Sequence, residues 1–133
     1  KNNTKAIVTR EKMRIEFNEE KKVITISTPG KNTVEISDDD KHIKLTDQNK
    51  NEIVMNSSGI SLSSAKDITL KAKGAITIEA TSKINATAKQ DVSLEGLNVK
   101  MEAKVSATVK GNAKAELSAS GQTTVKGAMV MIN

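Results

Sequence analysis

The chain has 133 residues, one aromatic residue, one proline, no cysteine and a net charge of +5. A monomeric core of this size normally rests on several large aromatic side chains; here only Phe17 is available, and disulfides and thiolate metal sites are excluded. The charge is dispersed, with 11 Lys/Arg against 10 Asp/Glu over residues 1–59 and 10 against 6 over 60–133, so there is no concentrated basic face for nucleic acid.

The chain begins at Lys1 rather than Met and shows no signal peptide, which reads as a fragment or a processed chain. Residues 1–11 read as a linker or frayed strand. Six short alternating segments come next: MRIEF (13–17), VITIS (23–27), TVEIS (33–37), HIKLT (42–46), EIVM (52–55) and GISLSS (59–64). Alternation with period two, rich in β-branched residues, predicts strands. Between them lie turn formers: Asn18 to Lys21, Pro29 to Asn32, Ser37 to Asp40 and Asp47 to Asn51. The spacing of nine to ten residues predicts a wide, loop-decorated β section over 12–64, a looser form of the eight-residue repeat in the rest of the chain.

From residue 65 the repeat tightens to eight. Ile68, Ile76, Ile84 and Val92 form one column; Leu70, Ile78, Ala86 and Leu94 form a second; Ala72, Ala80, Ala88 and Gly96 form a small third. After Gly96 the phase moves by one residue. Leu97, Val105, Ala113, Gly121 and Met129 are then eight apart, as are Val99, Ala107, Ala115, Thr123 and Met131. Met101, Val109, Leu117 and Val125 make a further column, and Ala103, Gly111, Ala119 and Gly127 the small one. A one-residue shift exchanges the faces of a strand, which predicts a bulge or kink near Gly96. Disorder, which 28% charged residues would favour, is opposed by this regular placing of Ile, Val and Leu.

One chain coiling alone with one octad per turn cannot enclose a core. Eight strand residues span about 26 Å, so a closed coil has sides of about 9 Å, while facing strands need about 10 Å merely to pack. A single-chain coil of two or three octads is possible, but its faces should then differ with a period of 16 or 24, and these octads look equivalent. Three chains giving one octad each per layer have a perimeter of about 80 Å and can enclose a core. The predicted fold is therefore all-β: a homotrimeric, intertwined triple-stranded β-helix, with a narrow shaft over 65–133. The expected trimer core comprises Ile60, Leu62, Ile68, Leu70, Ile76, Ile78, Ile84, Val92, Leu94, Leu97, Val99, Met101, Val105, Val109, Leu117 and Val125. The small columns are expected where three copies approach a common axis, as glycine does in collagen. Ala128, Met129, Val130, Met131, Ile132 and Asn133 are expected to end the rod in an apolar platform for a partner.

The stretch NTVEISDDDKHIKLTDQNKNEIVMNSSGISLSSAKDITLKAKG (32–74), the octads after it and the end GQTTVKGAMVMIN (121–133) resemble the carboxy-terminal part of valine-glycine repeat spike proteins of type VI secretion systems. They equally resemble the needle of the contractile-phage cell-puncturing device. The resemblance implies a homotrimeric spike, capped at its carboxy end by a PAAR-type tip protein. It implies contact with a secretion tube and effectors through amino-terminal domains that this sequence does not include. It further implies assembly in the bacterial cytoplasm, secretion into or through a target envelope, and transient contact with the target membrane. The His-x-His apex motif with which some phage relatives hold iron is not present. The alternative reading is the shaft of an adhesin or phage tail fibre.

Chemistry is sparse. His42, the one histidine, sits where Ile43 and Leu45 claim the inward phase, so it reads as an outward strand residue rather than a metal ligand. Asp38, Asp39 and Asp40 lack the spacing and terminal Glu of an EF-hand and read as a loop. No Ser or Thr has a nearby His to activate it, and the glycines form no phosphate-cradling pattern. Lys71 with Glu79, and Glu102 with Lys110, stand one octad apart and could pair between layers. The reading is a mechanical protein with no catalytic, cofactor or metal site; ions on the axis are left open.

Overall fold

A computed structural model describes residues 2–132. Among these there is no helix; the regular structure is one seven-stranded antiparallel sheet whose strands pair in chain order. The strands are β1 (Thr4–Val8), β2 (Arg14–Asn18), β3 (Val23–Ser27), β4 (Thr33–Ser37), β5 (His42–Thr46), β6 (Glu52–Asn56) and β7 (Gly59–Ser63). Six of these coincide, within a residue at either end, with the alternating segments read from the sequence. The seventh, β1, lies in the segment expected to be a linker or frayed strand, and it pairs with β2 along its whole length, from Thr4 opposite Asn18 to Val8 opposite Arg14.

The pairing differs from a looser turn of the octad coil. Each strand of 4–63 folds back on the one before it, making a meander whose ladder lies within one chain. Loops of four and five residues permit this return, because antiparallel neighbours need only a short connection.

The loops reveal a 19-residue repeat. At one side of the sheet, the turns starting at Thr9, Thr28 and Asp47 share one hydrogen-bonding scheme. The N–H of the first residue donates to the carbonyl of the fifth at 3.0, 3.0 and 3.1 Å, and the N–H of the fourth donates back to the first. The fourth residues, Lys12, Lys31 and Lys50, all have left-handed backbone, with φ of 62, 65 and 68°. At the other side Lys22 and Lys41, again 19 apart, have φ of 53 and 52°. There the turns are closed by side chains: Asn18 Oδ1 accepts the Lys21 N–H at 3.0 Å, and Ser37 Oγ accepts the Asp40 N–H at 2.9 Å. Among the described residues Ser37 is the one buried polar side chain. The last return, Ser57–Ser58, is two residues shorter and ends on Gly59 with φ of 120°.

Beyond β7 no backbone–backbone hydrogen bond forms among the described residues. The chain runs extended and bends at a regular interval: at Ala65–Lys66, Lys73–Gly74, Thr81–Ser82 and Lys89–Gln90, then at Leu97, then at Lys104–Val105, Asn112–Ala113, Ser120–Gly121 and Ala128–Met129. The spacing is eight on either side of Leu97, with one residue lost across it. The corner falls beside the glycine where the apolar columns change phase. By contact the chain divides into two units, one ending at Ile78 and one beginning at Glu79.

Left-handed backbone is strained for any residue with a Cβ and worst for a β-branched one. Lys31→Val should therefore cost about 1 kcal/mol or more, while Lys31→Gly should leave stability unchanged or raised. The midpoints of thermal unfolding of the two variants check this.

Candidate functional site

Register places the isoleucines, the leucines and Phe17 of the strands on the same face, while Val8, Val23 and Val54 lie on the other. Ile15 lies opposite Ile7 and Ile26, Phe17 opposite Ile24, Ile24 opposite Ile36, and Ile26 opposite Val34. Ile36 meets Ile43, Val34 meets Leu45, and these continue to Met55 and Ile53, then to Ile60 and Leu62. Two large apolar side chains per strand from β2 to β7 thus form an unbroken surface, with an open hollow of about 420 Å³ whose lining includes Val34, Leu45, Ile53 and Leu62. No described residue covers it. Ile15, Phe17, Ile24, Ile26, Ile36, Ile43, Leu45 and Ile53 are 36–45% exposed, and among the described residues no hydrophobic side chain is buried.

The other face carries the polar partners, and they neutralise one another. Lys44 Nζ lies 2.8 Å from Glu52, Arg14 pairs with Glu16, and His42 Nε2 lies 2.7 Å from Glu35 Oε1. His42 is thus on the outward phase, as its sequence context implied, while Ile43 and Leu45 take the apolar face. Glu35, Asp40 and His42 bring their donor atoms within 4.8 Å of one another. Each already has a partner that explains its position: Glu35 and His42 join across the β4–β5 hairpin, and Asp40 is drawn back by Ser37. The cluster is hairpin glue on a solvated face.

The expected trimer-core residues Ile60 and Leu62 lie on the apolar face of β7, 77% and 54% exposed. Those from Ile68 to Val125 lie along the bent segment, from 50% exposed at Ile68 to fully exposed at Leu97. The expected tip residues Met129, Val130, Met131 and Ile132 are exposed beside the last bend, as is Ala128; Asn133 lies outside the described residues. The sheet adds core candidates that the octads did not identify, Ile15 to Met55, although their alternation was visible in the sequence.

Two expectations change. Glu102 pairs with Lys100 at 2.5 Å, two positions back, rather than with Lys110 one octad on; Glu116 pairs likewise with Lys114, which together with Ser118 holds its carboxyl below the usual range. The glycines of the second small column also have a local cause. A Cβ on Gly111 would collide with the carbonyl of Lys114, and one on Gly127 would come within 3.0 Å of the Met129 oxygen. At these two bends the local backbone leaves little room for a Cβ, although Ala103 and Ala119 stand at the equivalent places of the other two.

Asp47 organises the last five-residue turn. Its carboxylate accepts the N–H of Asn51 and of Asn49, each at 2.8 Å, and the side-chain amides of both. These bonds, that of the Asn51 N–H foremost, hold its carboxyl below the ordinary value of 3.8 against a smaller opposing effect of burial.

Residues 23–133 match the model of a family described as the phage baseplate V C-terminal trimerisation domain. No curated protein matches the chain.

A depressed carboxyl pKa contributes stability that is complete above the unfolded value and is lost as pH falls through the folded one. Amide exchange at Asn49 and Asn51, relative to intrinsic rates, should therefore accelerate as pH drops below 3.8. In Asp47→Ala it should be fast throughout and lose that pH dependence.

Proposed function

The chain belongs to the phage baseplate V C-terminal trimerisation domain family, and from this we propose that three copies join into the needle of a contractile injection apparatus. At the level of the family it is a structural, trimer-forming component of a phage-tail-like spike. The observation that carries the finer reading is the uncovered apolar surface. The chain leaves 13338 Å² accessible, about twice the roughly 6,800 Å² expected of a compact monomer of 14.2 kDa.

In the proposed trimer the apolar faces of three meanders turn inward, and the octad columns from Ile68 to Val125 wind together as a triple-stranded β-helix. Backbone groups that have no partner within the chain pair with the neighbouring copies, since unpaired groups in a closed core would each be costly. The paired polar face of the meander points outward. The work done is mechanical: a rod interlocked over its whole length transmits axial force without a hinge.

The type VI secretion assignment, the PAAR-type tip on Ala128–Asn133, and the journey from cytoplasm to target envelope rest on the sequence resemblance. The exposed Met129, Val130, Met131 and Ile132 support a capped end, because bare apolar ends invite association. No residue is assigned to catalysis and no cofactor is proposed.

Native mass spectrometry of the full chain should give three chain masses; a monomer would overturn the reading. Ile43→Asp sets a carboxylate at each of three facing positions and should abolish the trimer, whereas Thr25→Lys, flanked on the polar face by Glu16 and Glu35, should leave it intact. Met131→Asp should retain the trimer and reduce capture of a PAAR-type tip at least tenfold in a binding assay.

A further inference from the structure

The octad segment has a register problem. Moving one copy by eight residues brings Ile76 to the height of Ile68 and Ile84 to that of Ile76, so the columns stay apolar on either side of the phase change, and only across it do Lys100 and Glu102 come to the heights of Val92 and Leu94. The misaligned shaft loses about two octads in eight of its burial, one at its end and one at the phase change, and away from that change the side-chain pattern discriminates weakly between such alignments. Nor can the segment settle its own conformation first, because none of its backbone hydrogen bonds is internal among the described residues.

The meander has neither difficulty. Its ladder is closed within one chain. Its side chains are not equivalent from strand to strand: Phe17 occurs once, and the final return is two residues shorter than its counterparts. Two asparagines 19 apart also tie one row of turns together. Asn32 Oδ1 accepts the Gln48 N–H at 3.1 Å, linking one turn to the next. Asn51 Oδ1 does the corresponding work at the end of the sheet, where it accepts the Ser64 hydroxyl at 2.8 Å and the Ala65 N–H at 3.3 Å. Ser64 Oγ in turn accepts the Lys66 N–H at 3.1 Å, on the first of the regular bends.

We propose that the meander is the register-setting element of the trimer: it forms first, docks by its apolar face, and delivers three chains at the same height to Ala65, with Asn51 and Ser64 fixing the starting point from which the octads zip toward the carboxy end. This rests on the trimeric reading above. Asn51 and Ser64 are positioning residues, acting on the octads only through where they hold the chain.

The test uses the full chain refolding from denaturant, with pulsed hydrogen exchange read by mass spectrometry. Protection of 14–63 should appear in an earlier phase than protection of 66–132. Simultaneous protection, or earlier protection of the octads, overturns the proposal even if the product is a trimer; a monomeric product overturns the trimeric reading itself. The second readout is a spin label on a cysteine introduced by Ser118→Cys, the chain having no other cysteine. Electron–electron distances between copies should form one narrow distribution in the otherwise unaltered chain and in Asn32→Ala, which loses a similar bond inside the sheet. Asn51→Ala and the milder Ser64→Ala should each add a population at longer distance, from copies displaced by an octad. Narrow distributions in both overturn the role given to this contact.

Discussion

An apolar surface with no cover in its own chain governs this molecule. Seven strands lay their isoleucines, leucines and single phenylalanine on one face, and among the described residues of their own unit, which ends at Ile78, no second layer lies against it. A domain is normally at least two layers around one core. Here the second layer has to come from other copies, so stability belongs to the assembly and depends on chain concentration. The gain from burying each large side chain, about 1.5–3 kcal/mol when complete, is only partly realised within one chain.

The two parts of the chain are incomplete in different ways. The meander pairs its backbone within one chain except along the outer edges of β1 and β7, and it lacks an apolar partner. The segment after it lacks both, since its extended backbone makes no internal ladder among the described residues. The first kind of surface can meet copies as a partly ordered face. The second can gain backbone hydrogen bonds only from partners outside itself, losing conformational entropy in the same step. A segment of the second kind has no locally stable piece, so its order depends on what it pairs with.

The chemistry on the polar face is local. Lys44 with Glu52 and His42 with Glu35 are matched across neighbouring strands, and Arg14 pairs with Glu16 along β2. The turns bend back on Asn, Ser and Asp side chains that accept backbone N–H groups, the usual use of these residues where a chain reverses. These polar side chains shape and solvate the sheet, and each is accounted for by a neighbour a few residues away or across one strand pair.

Alternation and spacing alone determined a good deal. They set which residues are strands, which face of each strand is apolar, that a repeat of eight begins near Ala65, and that it changes phase beside Gly96, where the chain bends at Leu97. All these are local: a period of two fixes a face, and a period of eight fixes a corner. What alternation does not carry is the identity of the strand's neighbour. A segment such as VITIS pairs equally well with a strand of its own chain or of a copy, so the sequence left 12–64 as a looser coil, and only the tertiary structure decided for an in-chain meander. The 19-residue repeat was equally hidden, because it resides in left-handed lysines and turn hydrogen bonds rather than in hydrophobicity. Gly111 makes the same point in miniature: its place in a column was legible, but the collision that forbids a side chain there involves a carbonyl three residues on, and only folded backbone brings the two together.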